Sequence, residues 1–314
     1  MKRLEDLKAI YGQPLPELIF RAAEVHRAHH DVCDIQRCAL LSIKTGGCPE
    51  DCGYCAQSAR FRTGVEAASL MSVEEVKERA HQARQLGATR FCMGAAWRGP
   101  RDGPQFDQVL EMVRIIRQLG MEACVTLGML TDDQACRLRD AGLTAYNHNL
   151  DTSRRHYANI VSTRTYDDRL DTLRAVQRAG IAVCCGAILG MNENEEDRLM
   201  LLAELAALDP PPESIPLNCL VPIPGTPLEK AAPVDSIQLV RLVATTRIAF
   251  PRARVRLSAG RDHLSRELQV LCFLAGANSI FFGEKLLTAP NPSASEDAEL
   301  FRAMGIVPVA SSVP

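Results

Sequence analysis

The chain is poor in aromatics, nearly free of net charge and without a long apolar run. Aromatic residues make up 5% of its 314 residues, with one tryptophan, too few for the stacking platforms that hold single-stranded nucleic acid. Lysine and arginine number 36 against 38 aspartates and glutamates, a net charge of -2. No global basic field therefore draws the protein to nucleic acid or anionic lipid. The longest uncharged apolar run, Ala182 to Met191, contains two glycines and falls short of a bilayer span. The opening MKRLEDLKAIYG lacks the apolar stretch of a secretory signal. These features predict a cytoplasmic protein that engages neither membrane nor nucleic acid.

What is present is an ordinary globular balance, 46% hydrophobic and 24% charged, enough to bury a core without crosslinks. The 12 cysteines are too sparse for a disulfide scaffold and, without an export signal, read as thiols, metal ligands or redox groups. Helix-period and strand-like segments alternate from Ala39 onward. Glycine closes five of the helical segments just before the next strand, at Gly87, Gly120, Gly142, Gly180 and Gly276, where a left-handed cap turns a helix into a short loop. About eight such units predict an α/β chain folded as a (β/α)8 TIM-type barrel. No G-x-G-x-x-G follows the first strand, which weakens a dinucleotide-binding sheet. The expected division is an N-terminal helical extension over 1–38, the barrel over 39–289 and a loosely held C-terminal tail over 290–314.

The sharpest motif is Cys48-Pro-Glu-Asp-Cys52-Gly-Tyr-Cys55, directly after the first strand. That position is the C-terminal mouth of a barrel, where active-site loops lie. Iron–sulfur cubanes normally take four thiolates, so three converging ones leave an iron open to an outside ligand. A zinc site short of its fourth ligand and incidental thiols are the alternatives; zinc knuckles favour paired C-x2-C units, and no second pair is present. Strand residues two apart share a face, and buried parallel strands tolerate polar groups only when these are paired or liganded. The same-parity sets Arg90/Cys92, Cys124/Thr126, Asn147/Asn149/Asp151, Cys184/Gly186/Ile188 and Arg256/Ser258, with Asn218 alone, would give the lumen three thiols, a guanidinium and several amides. A single strand cysteine is ordinarily a small apolar filler. Three of them on separate strands, with Arg256 opposite, are suited to a second metal cluster.

The C-x3-C-x2-C run with Tyr54 before its last cysteine resembles the radical S-adenosylmethionine superfamily, as do Gly186, Ile188, Gly190 and Glu193 of a G-x-I-x-G-x-x-E strand motif. The segments SIKTGGCPEDCGYCAQS, TRFCMGAAW, EACVTLG, YNHNLDTS, VRLSAGR and AGANSIFFGEKLLT further resemble the biotin synthase family within it, over about residues 15 to 305. The resemblance implies that Cys48, Cys52 and Cys55 hold a 4Fe–4S cluster. It also implies that Cys92, Cys124, Cys184 and Arg256 hold a 2Fe–2S cluster that donates sulfur, with Arg90 beside them. S-adenosylmethionine would meet Tyr54, Asn149, Asp151, Arg169 and Ile188; dethiobiotin would meet Asn149, Asn218 and Thr288. The implied reaction inserts sulfur between C6 and C9 of dethiobiotin by radical chemistry carried by the cofactors, with no protein acid, base or nucleophile at the reacting carbons. A flavodoxin-type electron donor, iron–sulfur assembly machinery and a homodimer are implied in the same way.

Two positions depart from the family pattern: Asn192 replaces a glycine, and Ala289 replaces a threonine beside the substrate carboxylate. Without the resemblance, Arg164 and Arg169 read as the solvated first turn of a helix. Cys185, opposite in parity to Cys184, reads as structural, and Cys33, Cys38, Cys136, Cys219 and Cys272 have no assigned role. The competing readings are a lipoyl-synthase-like sulfur-inserting enzyme and a non-catalytic iron–sulfur electron carrier. The first needs a C-x4-C-x5-C set, of which Cys33 and Cys38 supply half while Lys44 holds the third place. The second favours a closed four-cysteine cluster near the surface.

Overall fold

A computed structural model describes residues 3–283 and 285–306. Nine parallel strand segments form one sheet: β1 (Gln36–Lys44), β2 (Arg90–Ala95), β3 (Glu122–Thr126), β4 (Ala145–Asn147), β5 (Ala182–Cys184), β6 (Ala187–Leu189), β7 (Ser214–Cys219), β8 (Arg254–Leu257) and β9 (Ser279–Phe282). They run in the order β5-β4-β3-β2-β1-β9-β8-β7-β6, and β5 pairs with β7 to close the ring. β5 and β6 are two halves of one barrel position, broken at Cys185-Gly186, so the (β/α)8 expectation holds with eight positions around the cylinder. The break has a local cause. A Cβ at Gly186 would sit 1.9 Å from the carbonyl oxygen of Pro216 on β7, and proline has no N–H to give to the ladder.

The five cap glycines all adopt positive φ, the conformation for which glycine was invoked. Helix starts are fixed by reciprocal capping boxes, Ser72 with Glu75, Thr131 with Gln134, Thr165 with Asp168 and Asn194 with Asp197. Among the described residues, no helix is long and apolar enough to cross a membrane.

The ends of the chain pack differently. Helices Leu4–Tyr11 and Leu15–His29 lie against helix Ser236–Ala249 and bury Leu7, Ile10, Leu18, Ala22 and His26. The tail expected over 290–314 is not loose where it is described. Residues Ala294–Ala303 form a helix, with Leu300 and Phe301 buried, the Phe301 ring 6.1 Å from Phe273, and Asp297 paired to buried Arg261 at 2.6 Å. A Ser293-x-x-Glu296 capping box starts this helix. Residues 307–314 of that expected tail lie outside the described part.

One pH effect follows from the packing of the second helix. The His26 and His30 rings lie tilted to each other with centroids 5.5 Å apart, near Arg247. Burial first, and the Arg247 charge second, lower both from 6.5 to about 4. The fold therefore holds them neutral while the unfolded chain protonates them below about 6.5, so their contribution is intact above that pH and is lost as pH falls towards about 4. Thermal melts of the cluster-free protein should show Tm dropping across this window, and His26→Leu should flatten part of the drop. An unchanged slope in that variant would contradict the assignment.

Candidate functional site

One cavity of about 310 Å³ opens at the C-terminal mouth of the barrel and reaches down its axis. Cys48, Cys52, Tyr54, Cys55, Cys92, Cys124, Asn149, Asp151, Arg169, Ile188, Asn218, Arg256 and Thr288 all line it. The residues singled out from the sequence thus meet at one place, with two exceptions. Cys184 is fully covered by its lumen neighbours Asn147 and Arg256, and Arg90 is buried without lining the cavity.

The rim is the loop after β1. Gly46 and Gly47 both have φ +68°, and a Cβ on Gly46 would touch the Glu66–Ala67 backbone at 3.0 Å. Only glycine makes that turn without strain. The loop is then tied by Cys48 N–H to Gln57 O at 3.0 Å, Ala59 N–H to Cys48 O at 2.8 Å and Cys55 N–H to Cys52 O at 2.9 Å. Asp51 accepts from the Ser162 and Thr163 backbones at 2.9 and 3.1 Å. All three thiols are free. Burial raises Cys52 above the ordinary thiol range and takes Cys55 up to about 12, so iron must displace protons to bind here.

Arg164 and Arg169 are not the solvated first turn that their sequence position suggested. Their side chains are only 8% and 10% exposed, because helix Tyr166–Arg178 points its start into the cavity. Arg164 donates to Cys52 Sγ at 3.0 Å and to Tyr157 Oη at 3.0 Å, and pairs with buried Glu50 at 3.4 Å. Arg169 donates to Asp151 Oδ2 at 2.8 Å and Tyr157 Oη at 3.1 Å. Tyr54 Oη also donates to Asp151 Oδ2, at 2.9 Å. Asp151 has φ +68°, one of two non-glycine residues in the left-handed region among the described residues; the other is Asn192 at +65°, the substitution expected to be tolerated there. Glu193 is a turn holder: it accepts from the Gly190 and Met191 backbones at 3.0 and 2.7 Å and from Arg198 at 2.7 Å.

Deeper in, period two does what the sequence predicted. Cys92 and Cys124 are register partners across β2 and β3 and pack in one buried cluster. Cys184 Sγ accepts from Asn147 Nδ2 at 3.3 Å and Arg256 Nη1 at 3.6 Å. The neighbouring Cys124 thiol and the Arg256 charge bring the Cys184 thiol down to about 7 despite burial; its thiol neighbours are held up. Arg256 is fixed by Nε to Ser279 Oγ at 2.9 Å, Nη2 to Gln36 Oε1 at 3.3 Å, and the Phe281 ring at 5.1 Å. Arg90, one inward position nearer the strand N-termini than Cys92, is clamped by Glu122 at 2.7 Å and Glu213 at 3.0 Å. It closes the lumen below the thiols.

Asn149 accepts through Oδ1 from the Gly186 N–H at 3.0 Å. Asn218 already spends Nδ2 on Ala187 O at 2.9 Å and Oδ1 on the Ala259 N–H at 3.2 Å. Cys185 packs in the main apolar core, as its parity implied. Cys33 is exposed while Cys38 is buried in the barrel, so the half-motif of a lipoyl-synthase-like set does not converge. Sequence reading missed Cys38, Gln36 and Ser279, all part of the lumen network. Cys38 carried a signal: it shares parity with Leu40 once β1 is allowed to begin at Gln36 rather than Ala39.

Among the described residues, no three His, Cys, Asp or Glu side chains close tightly enough for a single metal ion. A polynuclear iron–sulfur cluster spreads its thiolates wider than one ion does. Three free thiols at the rim and a ring of buried thiols beside an arginine are a donor set of the soft kind that such clusters take.

Comparison with known proteins agrees with this geometry. Residues 42–205 match the Radical SAM superfamily, and residues 216–307 match the Biotin and Thiamin Synthesis associated domain. A biotin synthase from Methylobacterium sp. (strain 4-46) is 63% identical over 98% of this chain and 93% of its own length. One from Gloeobacter violaceus is 59% identical over 97% and 96%. Among solved structures, methylornithine synthase superposes with a TM-score of 0.81 at 18% identity, covering 98% of this chain and 94% of that one. An FeFe-hydrogenase maturase from Carboxydothermus hydrogenoformans gives 0.80 at 18%, covering 96% and 74%. These two show the shared barrel.

Proposed function

The chain belongs to the biotin synthase family, and on that premise we propose that the barrel cavity is where dethiobiotin is converted to biotin. When bound, the 4Fe–4S cluster with S-adenosylmethionine supplies the radical that removes hydrogen from C9 and C6, and the 2Fe–2S cluster supplies the sulfur that joins them. The observation that carries the reading is a single cavity with one thiol set at its mouth and a second along its wall, Asn149, Asp151, Arg169 and Asn218 between them.

Cys48, Cys52 and Cys55 would hold the outer cluster, with Arg164 balancing charge at Cys52. Cys92, Cys124, Cys184 and Arg256 would hold the inner one. Tyr54, Asn149, Asp151, Arg169 and Ile188 would orient S-adenosylmethionine. The Asp151–Arg169 pair can offer a carboxylate to ribose hydroxyls and a planar donor fork to the methionyl carboxylate. Asn149, the remaining N–H of Asn218, and Thr288 would fix dethiobiotin. Leu40, Val221, Ile223, Leu286 and Leu287 line the rest, an apolar wall that keeps water from a reactive radical. Arg90 is a support for the lumen rather than a contact. A cytoplasmic homodimer served by a flavodoxin-type donor and by iron–sulfur assembly machinery completes the proposal.

The test is anaerobic reconstitution with iron and sulfide, then assay with dethiobiotin, S-adenosylmethionine and reduced flavodoxin. Biotin and 5′-deoxyadenosine are expected together. Absence of both from protein carrying its full iron would overturn the reading.

A further inference from the structure

The lumen holds four thiols, one more than the reading above uses. Cys38 on β1 is fully buried and packs with Cys92, Cys124 and Ala145 in a small cluster separate from the main core. It packs against Cys92 there, so a chain of sulfurs runs Cys38, Cys92, Cys124, Cys184 from β1 round to β5. Arg256 touches the far end of that chain at Cys184. Cys38, at the near end, shares two polar partners with Arg256: Gln36 Oε1, 3.4 Å from its sulfur, and Ser279 Oγ, 3.7 Å away. The thiol and the guanidinium therefore sit side by side, with Gln36 and Ser279 between them and the lumen base.

Resting on the inner-cluster reading, we propose that Cys38 is a reserve ligand of the inner cluster, able to take the place of Arg256 and complete an all-thiolate set. Thiolate is the soft donor iron–sulfur clusters normally take, whereas a guanidinium keeps its proton and is an ordinary hydrogen-bond donor. Exchanging the arginine for a fourth thiolate adds negative charge to a buried centre, and net charge is one of the factors that sets its potential. The inner centre of this chain thus has two ligand states, one with Arg256 and one with Cys38. Nothing else among the described residues offers the cluster a fourth sulfur at that end.

The experiment compares reconstituted wild type with Arg256→Leu, Cys38→Ser and the double variant, read by iron and sulfide content, Mössbauer spectra and redox titration. Wild type should carry about six irons per chain, four outer and two inner. Arg256→Leu should keep all of them, with its inner cluster moved to a more negative potential. Cys38→Ser alone should also keep them, at the wild-type potential. The double variant should lose the inner pair and fall to about four irons. If Arg256→Leu and the double variant retain equal iron and identical spectra, Cys38 is not a ligand and the proposal is overturned. If Arg256→Leu already falls to four irons, it is overturned as well. Should wild type itself carry only the outer cluster, the inner-cluster reading fails and this proposal with it, a result distinct from the other two. The outer cluster's signal is the internal control for folding, and Arg256→Gln replaces the leucine variant if that one does not accumulate.

Discussion

Cys52→Ala should abolish biotin formation, a loss of at least about 10³-fold, and leave the purified protein short of about four irons. The magnitude follows from position. Outer-shell groups around metal sites typically cost 10- to 100-fold when removed, and a direct ligand costs more. Cys52 is the most buried of the three rim thiols and the one that receives the Arg164 guanidinium at 3.0 Å. Removing it takes away a donor and leaves that charge facing an empty place. The rim loop should survive, because its shape is held by backbone bonds from Cys48, Ala59 and Cys55 and by Asp51, none of which uses the sulfur. The cluster-free Tm should therefore change little. Cys136→Ala, on a helix outside the cavity, should behave as wild type. Iron analysis and a product assay check both; full activity in Cys52→Ala would refute the rim assignment.

Asp151→Ala should cost about 3–5 kcal/mol of stability in the cluster-free protein, the range for breaking a buried ion pair. Asp151 is 2% exposed and Arg169 10%; without the carboxylate, Arg169 loses its counter-charge and the acceptor of Nη2, and the Tyr54 hydroxyl loses its acceptor. Asp151→Asn separates charge from backbone. Asparagine tolerates φ +68° as aspartate does and still accepts from Tyr54, so its stability loss should be smaller than that of alanine. Its effect on S-adenosylmethionine should remain, with binding weakened about tenfold or more, the value of one hydrogen bond to a charged group. Denaturant melts and equilibrium dialysis separate the two effects. A wild-type melt for Asp151→Ala would show that the pair carries no stability.

The sequence carried the barrel because each level pointed the same way: alternating segments, cap glycines with the φ they were assigned, and strand parity that brought Cys92, Cys124 and Cys184 inward. The rim motif was equally readable, since three thiols in eight residues do not need tertiary context. What escaped were properties that exist only after closure. Arg164 and Arg169 look solvated at a helix start, yet that helix aims its first turn into the cavity. Asn218 looks free on β7, yet its side chain bridges Ala187 and Ala259. Cys38 was lost to a boundary error of three residues at the start of β1, the least dependable feature of any pattern reading. The C-terminal helix was lost because its serine- and proline-rich entry masked a capping box.

The central claim is that one cylinder holds two clusters, one above the other, on separate thiol sets. Mössbauer spectra of reconstituted wild type beside Cys124→Ala test it most directly. Cys124 lies between Cys92 and Cys184 in strand order, whereas Cys38 sits beside Arg256 with Gln36 and Ser279 as shared partners. Wild type should give two distinct iron environments, and the variant should keep only the outer one at undiminished intensity. One environment in wild type, or the loss of both in the variant, would contradict the account.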